Sequence, residues 1–176
     1  GVSLRRDILA MEDAGAHRTM IFTDLGVVTT TAKTGPAITR ALLTEMSQGE
    51  PDVIVFELGD GLMGTYGVDS ILECEDLRKA MTGVVLSAND PVAAYGGVDI
   101  LRKKYGIEPI AVTGPSTDND VGVQIIQEQL KVPAFNADKD PEEWGVILDL
   151  LRAEQKNNPG RWTKVVSAIR GVSEET

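Results

Sequence analysis

The stretch DVIVFELGDGLMG, residues 52–64, decides the fold that this sequence predicts. Its first half is apolar and rich in β-branched residues, which is typical of a buried strand. Its second half holds three glycines in eight residues, which allow a ligand to approach the backbone closely. Two interpretations stay open for its acidic residues. Glu57 either positions a metal ion or a water molecule beside a ligand at Gly59 and Gly61, or it joins Asp60 in capping the next helix.

Outward from this stretch, predicted strands and helices alternate along the chain. Such alternation predicts right-handed crossovers and a parallel sheet. We therefore expect a single α/β domain over residues 1–176, with three layers and a mostly parallel sheet that carries helices on both faces. The predicted strands are 20–24, 52–58, 83–88, 109–114 and 132–137. Helices are predicted at 4–11, 68–81, 94–105, 144–151 and 162–169, and the helix at 68–81 has a break near Glu73 to Asp76. Two further helices are predicted, one opened by Pro36 and one capped by Thr117 or Asp118 with Val121 on its inner face.

Composition narrows the class of partner. The chain has 176 residues, 42% of them hydrophobic, and a formal net charge of −10. Nucleic acid and anionic membranes attract basic surfaces, so neither is the expected main partner. Cys74 is the single cysteine, which indicates a reducing, cytoplasmic compartment without a disulfide framework.

The segments after the other predicted strands carry polar residues as well. In open parallel sheets, ligands bind outside the carboxyl ends of the strands. Asp24 and Asn89 each follow a predicted strand, and the pair Thr113 and Gly114 ends another. The hydroxyls of Thr29 and Thr30 can bind an anion together with Lys33, or the run can be an ordinary polar loop. Asn89-Asp90-Pro91 is most simply a helix start.

The same stretch resembles a known motif. VIVFELGDGLMG (53–64) is similar to the third-strand motif of dethiobiotin synthetase and its relatives in the MinD-like group of P-loop proteins. Glu57, Gly61 and Leu62 fit that motif, whereas Leu58 and Asp60 depart from its small residues. The order FTDLG, FELGDGL, DPVAAYGG and TGPSTDND extends the resemblance over residues 5–135, with poorly characterised members that often carry an upstream Rossmann-like domain.

This resemblance implies particular roles. Glu57 and Asp24 would be catalytic and would hold Mg²⁺, and Thr113 with Gly114 would lie near a base-binding loop. The other nucleotide contacts would come from the post-strand loops: Thr29, Thr30, Gly59, Gly61 and Asn89.

One departure from the family pattern is large. No GxxxxGK[ST] loop occurs in the chain, so the main phosphate grip of that fold is absent from it. Either the chain is the C-terminal part of a longer protein, in which case ATP and Mg²⁺ bind only with an upstream P-loop, or it is a relative that lost nucleotide binding. The first case predicts a nucleotide-dependent small-molecule kinase- or ligase-like domain. The second predicts a non-catalytic ligand-sensing or interaction module.

The missing phosphate-loop strand also has a structural consequence. In the P-loop group that strand is central to the sheet. We therefore expect a gap or exposed apolar edges, covered by an upstream domain or by a second copy of the chain, in preference to the alternative in which the sheet closes up with a changed strand order. The expected ligand is a small anionic metabolite.

Overall fold

The computed structural model describes residues 4–157 and 164–170 and has an α/β architecture. Its elements alternate along most of the chain, as the pattern predicts. They are α1 (Arg5–Asp13), α2 (Gly35–Ser47), β1 (Val53–Leu58), α3 (Val68–Glu73), α4 (Glu75–Ala80), β2 (Met81–Ser87), α5 (Pro91–Ile100), β3 (Ala111–Thr113), α6 (Asp120–Leu130), α7 (Pro141–Asn157) and β4 (Lys164–Arg170). Short 3-10 turns cover Phe22–Leu25 and Pro115–Thr117, and a π turn covers Leu101–Tyr105.

The described strands form one four-stranded sheet in the order β1-β4-β2-β3, and every pair in it is parallel. β4 lies between β1 and β2, so these two strands are not neighbours in the sheet. Among the described strands, β4 therefore takes the position where the central gap was expected.

Alternate residues of β2 enter two different apolar clusters. Val84 and Leu86 pack with α3, α5 and α6, and Val85 packs with Phe135 and with Ile147 of α7. Successive side chains of a strand point to opposite faces, so both faces of β2 are covered. This explains why the strand reads as a continuous apolar run in the sequence.

The predicted strand 20–24 is wrong, because Phe22–Leu25 form a 3-10 turn. The Asp24 carboxylate accepts a hydrogen bond from the backbone N–H of Ile21 at 3.0 Å, and Gly26 ends the turn with a φ of 74°. Ile21 is buried. The apolar residues that indicated a strand therefore contact the core from a turn.

The predicted helix 162–169 is also wrong, because residues 164–170 form β4. Its run of apolar residues fits either period, and the β-branched Val165, Val166 and Ile169 favour a strand once neighbours pair on both sides.

The predicted strand 132–137 is reduced to a single bridge between Val112 and Ala134. Val112 donates to the Pro133 carbonyl at 2.8 Å and accepts from Phe135 at 3.3 Å. Pro133 has no N–H to donate, so the ladder cannot extend from this bridge toward Val132.

The starts and ends of the helices agree with the sequence-based predictions better than the strands do. The expected break lies at Cys74, between α3 and α4, and Pro36 lies in the first turn of α2. The cap of α6 differs from the expectation, since Asn119 rather than Thr117 or Asp118 accepts the Gly122 N–H at 2.9 Å. Among the described residues, no helix is long and apolar enough to cross a membrane.

Candidate functional site

The candidate site is the edge of the sheet where the parallel strands end. Leu58, Ser87 and Thr113 are the last residues of β1, β2 and β3, and the segments 59–67, 88–90 and 114–119 follow them. We call these three segments, with the threonine loop 27–34 that packs against the first of them, the carboxyl edge.

Glu57 lies near the end of β1 and is half-buried. A Cβ built at Gly59 would lie 3.4 Å from the Glu57 Oε1, so the glycine backbone runs directly beside the carboxylate. The structure therefore keeps Glu57 at the predicted edge.

Asp60 closes the glycine-rich loop rather than capping α3. Its carboxylate accepts a hydrogen bond from the backbone N–H of Tyr66 at 2.8 Å. A side chain at Gly64 would overlap that carboxylate, and Gly61 has a φ of 75°. The glycines here give room for the loop's own carboxylate.

The threonine loop lies against this glycine-rich loop. A Cβ at Gly67 would lie 2.5 Å from the Thr31 carbonyl oxygen and 3.0 Å from the Ala32 nitrogen. The structure therefore brings the threonine run to the segment after β1.

Several of the hydroxyls in this run stabilise the loop itself. The Thr34 hydroxyl accepts the Thr31 N–H at 3.0 Å, and the Thr31 hydroxyl accepts the Thr34 N–H at 3.3 Å. The Thr29 hydroxyl makes a long hydrogen bond of 3.4 Å to the Thr30 carbonyl, and Thr30 is half-buried.

Asp24 does not follow a strand, which removes the reason for placing it beside Glu57. Its carboxylate is used by the Ile21 N–H, and the turn that holds it contacts α2. Within residues 4–157 and 164–170, no group of three or more His, Cys, Asp or Glu side chains is placed to hold a metal ion.

The start of α5 is capped by its own sequence, as the Asn-Asp-Pro pattern indicates. One oxygen of Asp90 accepts the N–H groups of Val92 and Ala93, both at 2.8 Å. Asn89 is exposed next to this cap. The first backbone N–H groups of α5, which have no partner within the helix, are therefore bound to a carboxylate.

The ends of β2 and β3 are joined closely. Ala88 donates to the Thr113 carbonyl and Ser116 donates to the Ala88 carbonyl, both at 2.9 Å. A Cβ at Gly114 would lie 2.5 Å from the Ser87 Oγ, and Gly114 has a φ of 89°. The Thr113 side chain is buried, and its hydroxyl has no hydrogen-bond partner among the described residues.

A polar network beside β3 was not anticipated from the sequence. Asn136 is buried; its amide donates to Asp118 at 3.0 Å, and its oxygen accepts the N–H groups of Asp138 and Lys139, both at 3.0 Å. The Lys139 ammonium donates to the Asp118 carbonyl at 2.8 Å. The signal for it is the run Asn136-Ala-Asp-Lys-Asp, which is typical of an Asx turn before a helix.

Shifted pKa values lie elsewhere, in surface ion pairs. Hydrogen bonds from Arg40 hold the pKa of Asp76 below its usual value, and Arg102 does the same for Glu108. Asp76 lies in α4, which leads into β2, and Glu108 precedes β3. These ion pairs lie in segments that precede the strands, whereas the segments of the candidate site follow the strands.

Large apolar side chains are exposed along the carboxyl edge. Each of its three segments leads to at least one such side chain, either within the segment or in the first turn of the next helix. The threonine loop adds another. Their exposed fractions are 84% for Val28, 86% for Met63, 81% for Val92 and 64% for Val121. Val121 was expected on the inner face of α6, and it lies on the outside. The edge therefore offers apolar contacts beside capped helix ends.

Comparison of the chain with known protein families and with solved structures gives no match in either.

Proposed function

We propose that this chain is a non-catalytic ligand-sensing or interaction module, built on a three-layer fold with helices on both faces of a mostly parallel sheet. The two apolar clusters fed by alternate residues of β2 support the three layers. The resemblance of residues 53–64 supports derivation from a P-loop fold, and the single cysteine supports a cytoplasmic setting.

The observation that carries the proposal is that side chains already cap the N-termini of the helices. Phosphate binds at a helix N-terminus through free N–H groups and the positive end of the helix dipole. At α5 the Asp90 carboxylate takes two of these donors, and at α6 Asn119 takes one. A phosphate arriving at α5 has to displace an anionic cap, which opposes tight nucleotide binding by this chain alone.

The surface beside these caps suits another kind of contact. Met63 and Val92 are almost fully exposed, and Thr29 and Thr30 carry hydroxyls in the threonine loop, which lies against the segment that holds Met63. Apolar side chains with a few hydroxyls suit a small metabolite with one anionic group, or the surface of an upstream domain.

A second candidate is a nucleotide-dependent kinase- or ligase-like domain that depends on a phosphate loop outside this chain. Glu57 favours it, since the carboxylate sits half-buried at the end of β1 beside the Gly59 backbone. In that protein Glu57 would associate with Mg²⁺, and ATP would contact the loops after β1, β2 and β3. Asp24 would have to leave its hydrogen bond to Ile21 to join the metal.

Calorimetric titration of the chain with ATP and Mg²⁺ tests whether this chain alone binds a nucleotide, which the module excludes. The module predicts a Kd weaker than about 1 mM, because the helix starts are already capped. A micromolar Kd that Glu57→Gln weakens, and that the exposed Glu142→Gln on α7 leaves unchanged, would establish the nucleotide site and contradict the module.

A further inference from the structure

The strand that ends the described chain lies inside the sheet. β4 pairs with β1 from Val53↔Lys164 to Leu58↔Ile169, and with β2 from Met81↔Val165 to Ser87↔Arg170. β1 has β4 as its one neighbour in the described sheet. We call the space between β1 and β2 the strand slot.

Without β4, the strand slot leaves two strand edges without partners, one on β1 and one on β2. Unpaired backbone N–H and C=O groups at such edges bind another strand readily. β1 and β2 are synthesised long before residues 164–170, so the slot stays open until these residues arrive.

From this topology we infer that the strand slot also accepts residues 164–170 of a second copy, which gives a strand-exchanged dimer. The incoming segment has the same sequence, direction and register as β4, so every backbone hydrogen bond of the slot is formed again. Exchange of an identical element between copies changes no contact within the slot and becomes favourable as concentration rises.

Two features match the slot to this particular segment. The pairing of β2 with β4 shifts register between Met81 and Gly83, and a foreign strand would have to reproduce that irregularity. Residues 158–170 also carry three basic side chains and no acidic one, Arg161, Lys164 and Arg170, within a chain of net charge −10. Opposite charge attracts this basic segment to another copy of the acidic chain.

Paired cysteines test the exchange on the full chain. Val55 and Val166 are register neighbours, and parallel neighbours lie about 4.8 Å apart, within the Cα range of a disulfide. Val55 is 60% exposed, so Val55→Cys leaves the core intact. All variants carry Cys74→Ala, which removes the native thiol.

A mixture of Val55→Cys copies and Val166→Cys copies is unfolded, refolded together over a range of concentrations, oxidised and separated without reductant. We expect a disulfide-linked heterodimer that rises with concentration and exceeds severalfold the product of Val55→Cys mixed with Val121→Cys, the latter on α6. A chain with both Val55→Cys and Val166→Cys reports the same pairing within one copy.

Two results would overturn the inference. One is an internal disulfide in the double variant with no more heterodimer than the control at any concentration. The other is no disulfide in either arm, since the pairing of β1 with β4 would then be wrong. Light scattering of the natural chain after refolding gives a check free of substitutions: exchange predicts dimers that persist on dilution, and monomers alone at every refolding concentration contradict it.

Discussion

At the scale of single residues, Gly114 has a strict conformational requirement. Its φ of 89° and ψ of −168° lie in a region that is essentially restricted to glycine, and a Cβ would lie 2.5 Å from the Ser87 Oγ and 3.0 Å from the Ala88 carbonyl oxygen. We expect Gly114→Ala to lower the free energy of unfolding by about 3 kcal/mol, from backbone strain and the clash together.

Gly106→Ala is the matched control for this prediction. Gly106 has a φ of 66°, and nothing lies within 4 Å of a Cβ built there. It carries only the strain of a left-handed residue, about 1 kcal/mol. Urea denaturation of both variants measures the difference. Equal losses would show that the ends of β2 and β3 are not packed as closely as described.

Thr113 tests whether a buried hydroxyl is needed for the fold. Because the hydroxyl has no partner among the described residues, Thr113→Val removes an unsatisfied polar atom at almost constant volume. We expect the free energy of unfolding of Thr113→Val to be unchanged or raised by up to about 1 kcal/mol. Thr117→Val is the comparison: that hydroxyl donates to the Gly114 carbonyl at 2.7 Å, and its loss should cost about 1 kcal/mol. A large loss from Thr113→Val in thermal unfolding would mean that the hydroxyl has a structural partner.

The sequence identifies the local cap of α5 and misses two hydrogen bonds that join residues farther apart in the chain. Asp90 caps the helix that it precedes, so the pattern Asn-Asp-Pro is sufficient to predict it. Asp60 binds the N–H of Tyr66 six residues later, across a loop whose path no short pattern indicates. Asn136 reaches Asp118, which is eighteen residues away, for the same reason.

At the scale of elements, Arg102 connects three segments. It forms two hydrogen bonds with the Glu108 carboxylate, at 2.8 and 2.5 Å, and donates to the Leu130 carbonyl at the end of α6 at 2.9 Å. The guanidinium thereby joins the π turn, the approach to β3 and the C-terminus of α6.

The pKa of Glu108 is lowered by Arg102, which gives this ion pair a pH dependence. A lowered folded-state pKa contributes stability above the unfolded value, about 4.3, and the contribution is lost as the pH falls through the folded value. Both side chains are more than a third exposed, so we expect Glu108→Gln to cost less than about 1 kcal/mol at pH 7.

Denaturation of this variant and the natural chain at pH 7 and at about pH 3 checks the sign. The difference between the two should shrink at the lower pH, because the unfolded chain then binds a proton at Glu108 more readily than the folded chain does. A difference that grows on acidification would contradict the assignment of Arg102 as the main cause.

Element types were predictable where a long periodic run decided them. β1, β2, α5 and α7 lie where the sequence places them. The two errors of type, 20–24 and 162–169, are short apolar runs whose residues fit more than one period. At 20–24, a local cap by the Asp24 carboxylate favours the turn. At 162–169, pairing with β1 and β2 favours the strand.

At the scale of the whole molecule, the parallel direction of the strands was predictable and their order was not. Parallel strands bring Glu57, Asn89 and Thr113 to one edge, as the alternation of elements predicts. The order depends on a pairing between β1 and a segment more than a hundred residues later in the chain, which no local pattern records. That pairing places β4 between β1 and β2, so one strand separates Glu57 from Ser87 and two strands separate it from Thr113.

Three features of the molecule depend on the position of β4: the continuous four-stranded sheet, the carboxyl edge that its strands share, and the strand slot. Amide hydrogen exchange on the natural chain measures it most directly. A strand paired on both sides should open only with the sheet, so the N–H groups of residues 164–170 should exchange about as slowly as those of Val84 to Leu86 in β2. Exchange of residues 164–170 as fast as that of an exposed loop, while β2 stays protected, would contradict the sheet order β1-β4-β2-β3.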